Sequence, residues 1–108
     1  LKNKHLYLIN IRAESNFREN TSLGATSLDD INTIRNRAKA SVPSSISLDD
    51  ILMERRKELA FEGFLLHDIK RTAGSVGSLP WNSDKLVFPI PLREMQVNSK
   101  LVQNPGYN

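Results

Sequence analysis

Leu6, Ile9, Ala13 and Phe17 recur at three- and four-residue intervals, the spacing that places side chains on one face of an α-helix. The pattern predicts a first helix over about residues 3–20. Tyr7, Leu8 and Ile11 form a second apolar patch on roughly the opposite side. A helix with two apolar faces needs two partners. Helices further along the chain supply one, and the other face is expected to pack on polypeptide preceding Leu1. The opening Leu1-Lys2-Asn3-Lys4 runs straight into helical sequence, so Leu1 reads as a cut point in a longer protein.

Asn20 to Thr26 contains Ser22 and Gly24 and reads as a turn. Ser27-Leu28-Asp29-Asp30 then has the chemistry of a helix cap, a hydroxyl followed by acids at the positive helix end. Leu28, Ile31, Ile34 and Ala38 make one narrow stripe, predicting a helix over about 27–40, which Ser41-Val42-Pro43-Ser44-Ser45 breaks. Ser47-Leu48-Asp49-Asp50 repeats the cap pattern and starts the longest predicted helix, about 48–71. Leu48, Ile51, Leu52, Leu59, Leu66 and Ile69 line one face; Met53, Ala60 and Phe64, with Phe61 at the margin, line another. Gly63 falls inside this helix, where glycine costs about 1 kcal/mol relative to alanine; close approach of a neighbouring backbone is the expected reason. Lys70-Arg71 suits the negative helix end.

Residues 72–85, rich in Gly and Ser, predict a surface loop, and 86–108 a loop-rich tail. In that tail Leu86-Val87-Phe88 reads as extended, Pro91 can open a short helix through Met95, and Asn104-Pro105-Gly106-Tyr107 is turn chemistry. No strand alternation of any length occurs. The expected fold class is all-α: two to three packed antiparallel helices followed by the tail.

Composition narrows the choice of function. At 108 residues there is room for one small domain or a piece of a larger one, and a chain this short buries a modest share of its surface. The net charge is +3 and the basic residues are scattered, unlike the concentrated patch of a nucleic-acid binder. There is no cysteine, which removes disulfides, thiolate metal sites and thiol nucleophiles. No apolar run approaches the roughly 20 residues that span a bilayer, and no signal peptide opens the chain.

One constellation stands out. Arg55 and Glu62, two turns apart with Glu58 between them, are expected to lie along the apolar stripe of the long helix. Charges aimed into a core must be paired. They read either as a charged binding or catalytic cluster or as a structural ion network of Arg55, Glu58 and Glu62. The network, joined by Arg12, Glu14 or Arg35 of neighbouring helices, is the simpler account.

These blocks resemble the C-terminal region of the SusD/RagB family. Tyr7-Leu8-Ile9-Asn10-Ile11-Arg12-Ala13-Glu14 is similar to the family's Tyr-Leu-Ile-Arg-Ala-Glu helix, with two additional residues before Arg-Ala-Glu. Asp30-Ile31-Asn32-Thr33-Ile34-Arg35-Asn36-Arg37-Ala38 matches its next helix. The family's Glu-Arg-Arg-x-Glu-Leu-Ala-Phe-Glu-Gly stands unbroken at Glu54–Gly63. The aromatic pair that usually follows is replaced by leucines in Phe64-Leu65-Leu66-His67-Asp68-Ile69-Lys70-Arg71. Phe88–Glu94 and Gln103–Tyr107 look like the family's chain end.

The resemblance implies a much longer helical protein built on tetratricopeptide-type helix pairs. It would be held at the cell surface on the outer membrane by a lipid on a cysteine upstream of Leu1. Its partner would be a TonB-dependent transporter resembling SusC, to which it delivers oligosaccharides or other nutrients without altering them. Residues 1–108 would then be the C-terminal portion, mainly a scaffold. The resemblance carries over no sugar contact. Trp81, the one tryptophan, lies in a predicted loop and suits stacking on an apolar sugar face, although a lone loop tryptophan also serves to anchor its own domain.

Other signals fall short of a site. His5 and His67 lack metal-ligand spacing, Ser75-Val76-Gly77-Ser78 is too short for a phosphate loop, and Arg35–Lys39 reads as a solvated helix end. Nothing implies a cofactor or metal, and the acids lie on helix faces rather than flanking a cleft as a glycoside hydrolase requires. Periodicity alone supports equally well a helix-repeat protein-interaction module with no glycan role.

Overall fold

A computed structural model describes residues 4–107; the expected helix start at residue 3 and the expected cut point lie outside the described residues. The chain forms two compact units, Leu1–Leu65 and Leu66–Asn108, and its architecture is predominantly helical. In the first unit, α1 (Lys4–Glu19) packs against both α2 (Ser27–Arg37) and α3 (Leu48–Glu58). Leu6, Ile9 and Ala13 of α1, Ile31 and Ile34 of α2, and Ile51 of α3 form one buried cluster, with Ile46 packed on it. Each fully buried Leu or Ile side chain contributes about 1.5–3 kcal/mol relative to exposure. Phe17, expected inside, sits at the rim with 39% exposure. The second apolar patch of α1 divides: Tyr7 is half-buried, whereas Leu8 and Ile11 are exposed.

The α1–α2 turn is built around Asn16. Its amide donates to the carbonyls of Leu23 and Ala25 (3.1 and 3.0 Å) and accepts from the Thr21 hydroxyl and the Leu23 N–H (2.7 and 3.1 Å), a full set of bonds for one side chain. Gly24 has φ 80°, and a Cβ there would meet Arg12 Nη1 at 2.7 Å.

Three expectations are corrected. The hydroxyl that caps α2 belongs to Thr26, which accepts from the Asp29 N–H; Ser27 is the first helical residue. This helix stops at Arg37 rather than near Ala40, because Lys39 takes φ 53° and the Ala40 N–H closes on the Arg35 carbonyl at 2.9 Å, a left-handed helix ending. The largest departure is the helix predicted over 48–71, which is two helices. The first ends at Glu58, Phe61 and Gly63 take φ 65° and 81°, and α4 (Leu65–Arg71) follows. Nothing lies within 4 Å of a Cβ built on Gly63. Backbone conformation, not a close neighbour, is what this glycine answers.

In the second unit the predicted loop contains a hairpin, β1 (Ser75–Val76) with β2 (Leu79–Pro80), in register Ser75↔Pro80 and Val76↔Leu79. Two-residue strands are too short to show alternation. Gly77, at φ 57°, occupies the first central position of the connecting turn, where a type II′ hairpin favours glycine. A 3₁₀ turn at Asp84–Leu86 replaces the start of the extended segment, and α5 (Leu92–Val97) begins after Pro91. Side chains tie the tail. Gln103 bonds both backbone groups of Ile90 (2.7 and 3.0 Å), Asn104 donates to the Phe88 carbonyl (2.7 Å) and Tyr107 to that of Val87 (2.7 Å). They satisfy backbone groups that regular structure would otherwise pair.

Candidate functional site

Position 55 on α3 faces inward, and there the side chain is an arginine, 7% exposed. Its guanidinium carbon lies 5.3 Å from the centre of the Tyr7 ring and 5.8 Å from that of Phe64, and the two rings are themselves 5.5 Å apart. A cation over aromatic faces gains most where water is excluded, and Arg55 thereby joins α1 to the chain beyond the end of α3. Glu58 turns elsewhere: both its oxygens accept from Arg37 Nη2, at 2.9 and 2.8 Å. Glu62 lies past the helix end and is exposed. The break after Glu58 removes the helical register that would have set Glu62 two turns from Arg55 on one stripe.

Ion pairs run both between helices and within them. Arg12 of α1 grips Asp30 of α2 through Nε (2.9 Å) and Nη2 (2.6 Å). Arg35 of α2 pairs with Glu54 of α3, which Lys57 also approaches at 3.3 Å. On α1, Arg18 donates to the buried Glu14 at 2.7 Å. Hydrogen bonding to Asp30, reinforced by its negative charge, raises the Arg12 pKa above the ordinary arginine value. Two of the partners suggested by sequence, Arg12 and Arg35, do staple helices, but to acids that apolar periodicity did not single out. The aromatic pair around Arg55 was missed altogether; Tyr7 and Phe64 are 57 positions apart, beyond any local spacing rule.

A cavity of about 180 Å³ opens beside α2 and α3, lined in part by Arg35, Pro43, Ile46, Asp50, Met53 and Lys57. Ligand pockets commonly enclose about 300–1,000 Å³. Arg35 and Glu54 in its wall pair with each other. Among the described residues no group of three or more His, Cys, Asp or Glu could hold a metal ion, and no helix is long and apolar enough to cross a membrane.

Trp81 follows β2 in the second unit. Its backbone N–H donates to the Gly74 carbonyl at 3.0 Å, closing the base of the hairpin, and the residue is 44% exposed. A partly exposed tryptophan is thus held beside a tight turn. That geometry suits stacking against a flat apolar surface.

Residues 6–85 match the SusD family. No curated protein matches the sequence. The structure is similar to the 1.90 Å crystal structure of a candidate sugar binding protein from Bacteroides vulgatus ATCC 8482, with TM-score 0.72 and 28% sequence identity. The likeness covers 93% of this chain and 27% of that one, so the chain spans little more than a quarter of that protein's length. The family match extends over most of the chain and takes in all three core helices. On that ground the chain belongs to the SusD family.

Proposed function

We propose that this chain is the C-terminal, mainly scaffolding portion of a longer protein that binds glycans or other nutrients without altering them. That protein is lipid-anchored at the outer-membrane surface and passes its cargo to a SusC-like TonB-dependent transporter. The observation that carries the reading is the family match over residues 6–85, with the likeness to a candidate sugar binding protein beside it. The scaffold role is supported by the arginine–carboxylate pairs at Arg12, Arg35 and Arg37, which are spent on neighbouring helices rather than left open to a ligand.

Trp81 is the residue of this segment that we assign to sugar contact, through its indole. A glycan array probed with the intact protein tests the reading. Binding to a defined glycan class is expected, with weaker binding by Trp81→Ala. Binding to no glycan sinks the carbohydrate assignment, and unchanged binding by Trp81→Ala sinks that of Trp81.

A further inference from the structure

The cavity beside α2 and α3 has two kinds of wall. Ile31, Pro43, Ile46 and Met53 give it an apolar side. Arg35, Asp50, Glu54 and Lys57 give it a polar one, two cations and two acids whose formal charges cancel. The loop between the helices is held without any ligand: Asn32 donates to the Pro43 carbonyl at 3.4 Å, and Arg35 to the carbonyl and hydroxyl of Ser41. The cavity is thus preformed, which lowers the cost of filling it.

Its hydrogen-bonding capacity is only partly used. Glu54 is 8% exposed, and its Oε1 accepts from both Arg35 and Lys57, so Oε2 meets no donor among the described residues. Asp50 accepts from Ser47 through Oδ2 alone. Lys57 Nζ uses one of its three donors, at 3.3 Å. Buried polar atoms are normally hydrogen-bonded. Here acids and an ammonium group with spare capacity share one face of α3, at three- and four-residue spacing.

We propose that this cavity binds a free α-amino acid with a short aliphatic side chain. The ligand's ammonium group donates to Glu54 Oε2 and Asp50 Oδ1, its carboxylate accepts from Lys57, and its side chain lies against the apolar wall. Size and charge select this class. The volume of about 180 Å³ equals about six waters, too little for an oligosaccharide. No aromatic residue lines the cavity for a sugar face to stack on. A wall of balanced charge suits a ligand that is neutral overall yet carries both signs, because each contact is then charge-assisted. A lone cation or anion answers one side and leaves the other. The inference does not rest on what the protein binds through Trp81.

The test is equilibrium dialysis of radiolabelled L-valine against the intact protein that carries these residues. Saturable retention is expected at millimolar concentration. Isobutylamine, which is valine without its carboxylate, and isovalerate, which lacks the ammonium group, are expected to compete at least about tenfold more weakly, the factor for one lost charge-assisted bond. Glu54 stays unsubstituted, since it also pairs with Arg35. Lys57→Met, at an exposed position, is expected to weaken retention by at least about tenfold as well. Met53→Trp, at another exposed position, fills the cavity and is expected to abolish retention. Both variants should melt close to the unsubstituted protein.

Four results overturn the proposal: no saturable retention of L-valine, retention that either variant leaves unchanged, competition by isobutylamine or isovalerate as strong as by valine itself, or equally strong competition by D-glucose. A glycan array without binding leaves these outcomes untouched, and failure with L-valine leaves the glycan reading untouched.

Discussion

Ser-Leu-Asp-Asp-Ile occurs twice, at residues 27–31 and 47–51, and both copies lie at the start of a helix. In the second copy Ser47 is the N-cap: its hydroxyl accepts from the Asp50 N–H at 3.2 Å, while the Asp50 carboxylate accepts from the Ser47 N–H at 2.8 Å. Ile46 just before the cap packs on the cluster that contains Ile51, a hydrophobic staple around a capping box. In the first copy the helix starts one residue earlier, because Thr26 offers a capping hydroxyl where Ile46 offers none. Ser27 is thereby released from the cap, is buried, and donates to the Ala13 carbonyl of α1 at 2.8 Å. Asp30 is released too and meets Arg12. Both isoleucines reach the core, at 1% and 0% exposure. The apolar residue has one fate in both copies; the polar residues take theirs from the residue before the motif and from what lies opposite.

The comparison breaks most visibly at the fourth position. Asp30 is 2% exposed and accepts two charge-assisted hydrogen bonds. Asp30→Ala is expected to cost about 1–3 kcal/mol. Asp50→Ala, at an exposed capping position, is expected to cost less. Urea denaturation of the two variants measures the difference, and equal losses would mean that the Arg12 clasp adds nothing to a cap.

The first position gives the next effect. Ser47→Ala removes a cap and Ser27→Ala a buried cross-helix bond, so each is expected to cost about 1 kcal/mol. Asparagine separates them, since it caps a helix about as well as serine but is larger. Thermal melting of Ser47→Asn should fall close to the unsubstituted protein, whereas Ser27→Asn should melt well below Ser27→Ala. Equal rescue at both sites would assign Ser27 a capping role after all.

The same contrast explains what was legible in the sequence. The three core helices, their apolar stripes through Ile9, Ile31 and Ile51, and the Ser47 cap follow from local spacing, and the motif blocks lead to the family. The one-residue shift at Thr26 was within reach, because threonine also caps. The break after Glu58 was not, since Leu66 and Ile69 continue the apolar period of Leu59. Its visible signal was Gly63, read as a tolerated interior glycine when glycine also marks left-handed backbone. Placing Arg55 between Tyr7 and Phe64, or Arg12 on Asp30, requires knowing which helices touch, and no local pattern carries that.

The smallest effect concerns pH and belongs to the second copy. Hydrogen bonds from the Ser47 backbone and hydroxyl hold the Asp50 carboxyl below its ordinary pKa, with the positive charge of Arg35 adding to them and desolvation opposing. A carboxylate whose pKa is depressed by folding stabilises the fold above its unfolded pKa, and that contribution is lost as pH falls through the folded value. The window therefore opens near the ordinary Asp value of about 4 and extends below it. The stability difference between the unsubstituted protein and Asp50→Asn should be level from about pH 7 to about pH 5 and shrink as acid is added beyond about pH 4. Ser47→Ala removes the hydroxyl bond but leaves the backbone one, so in that background the shrinkage should be reduced and shifted toward the ordinary value. A difference that stays level down to about pH 2 would show that the Asp50 charge takes no part in holding this helix end.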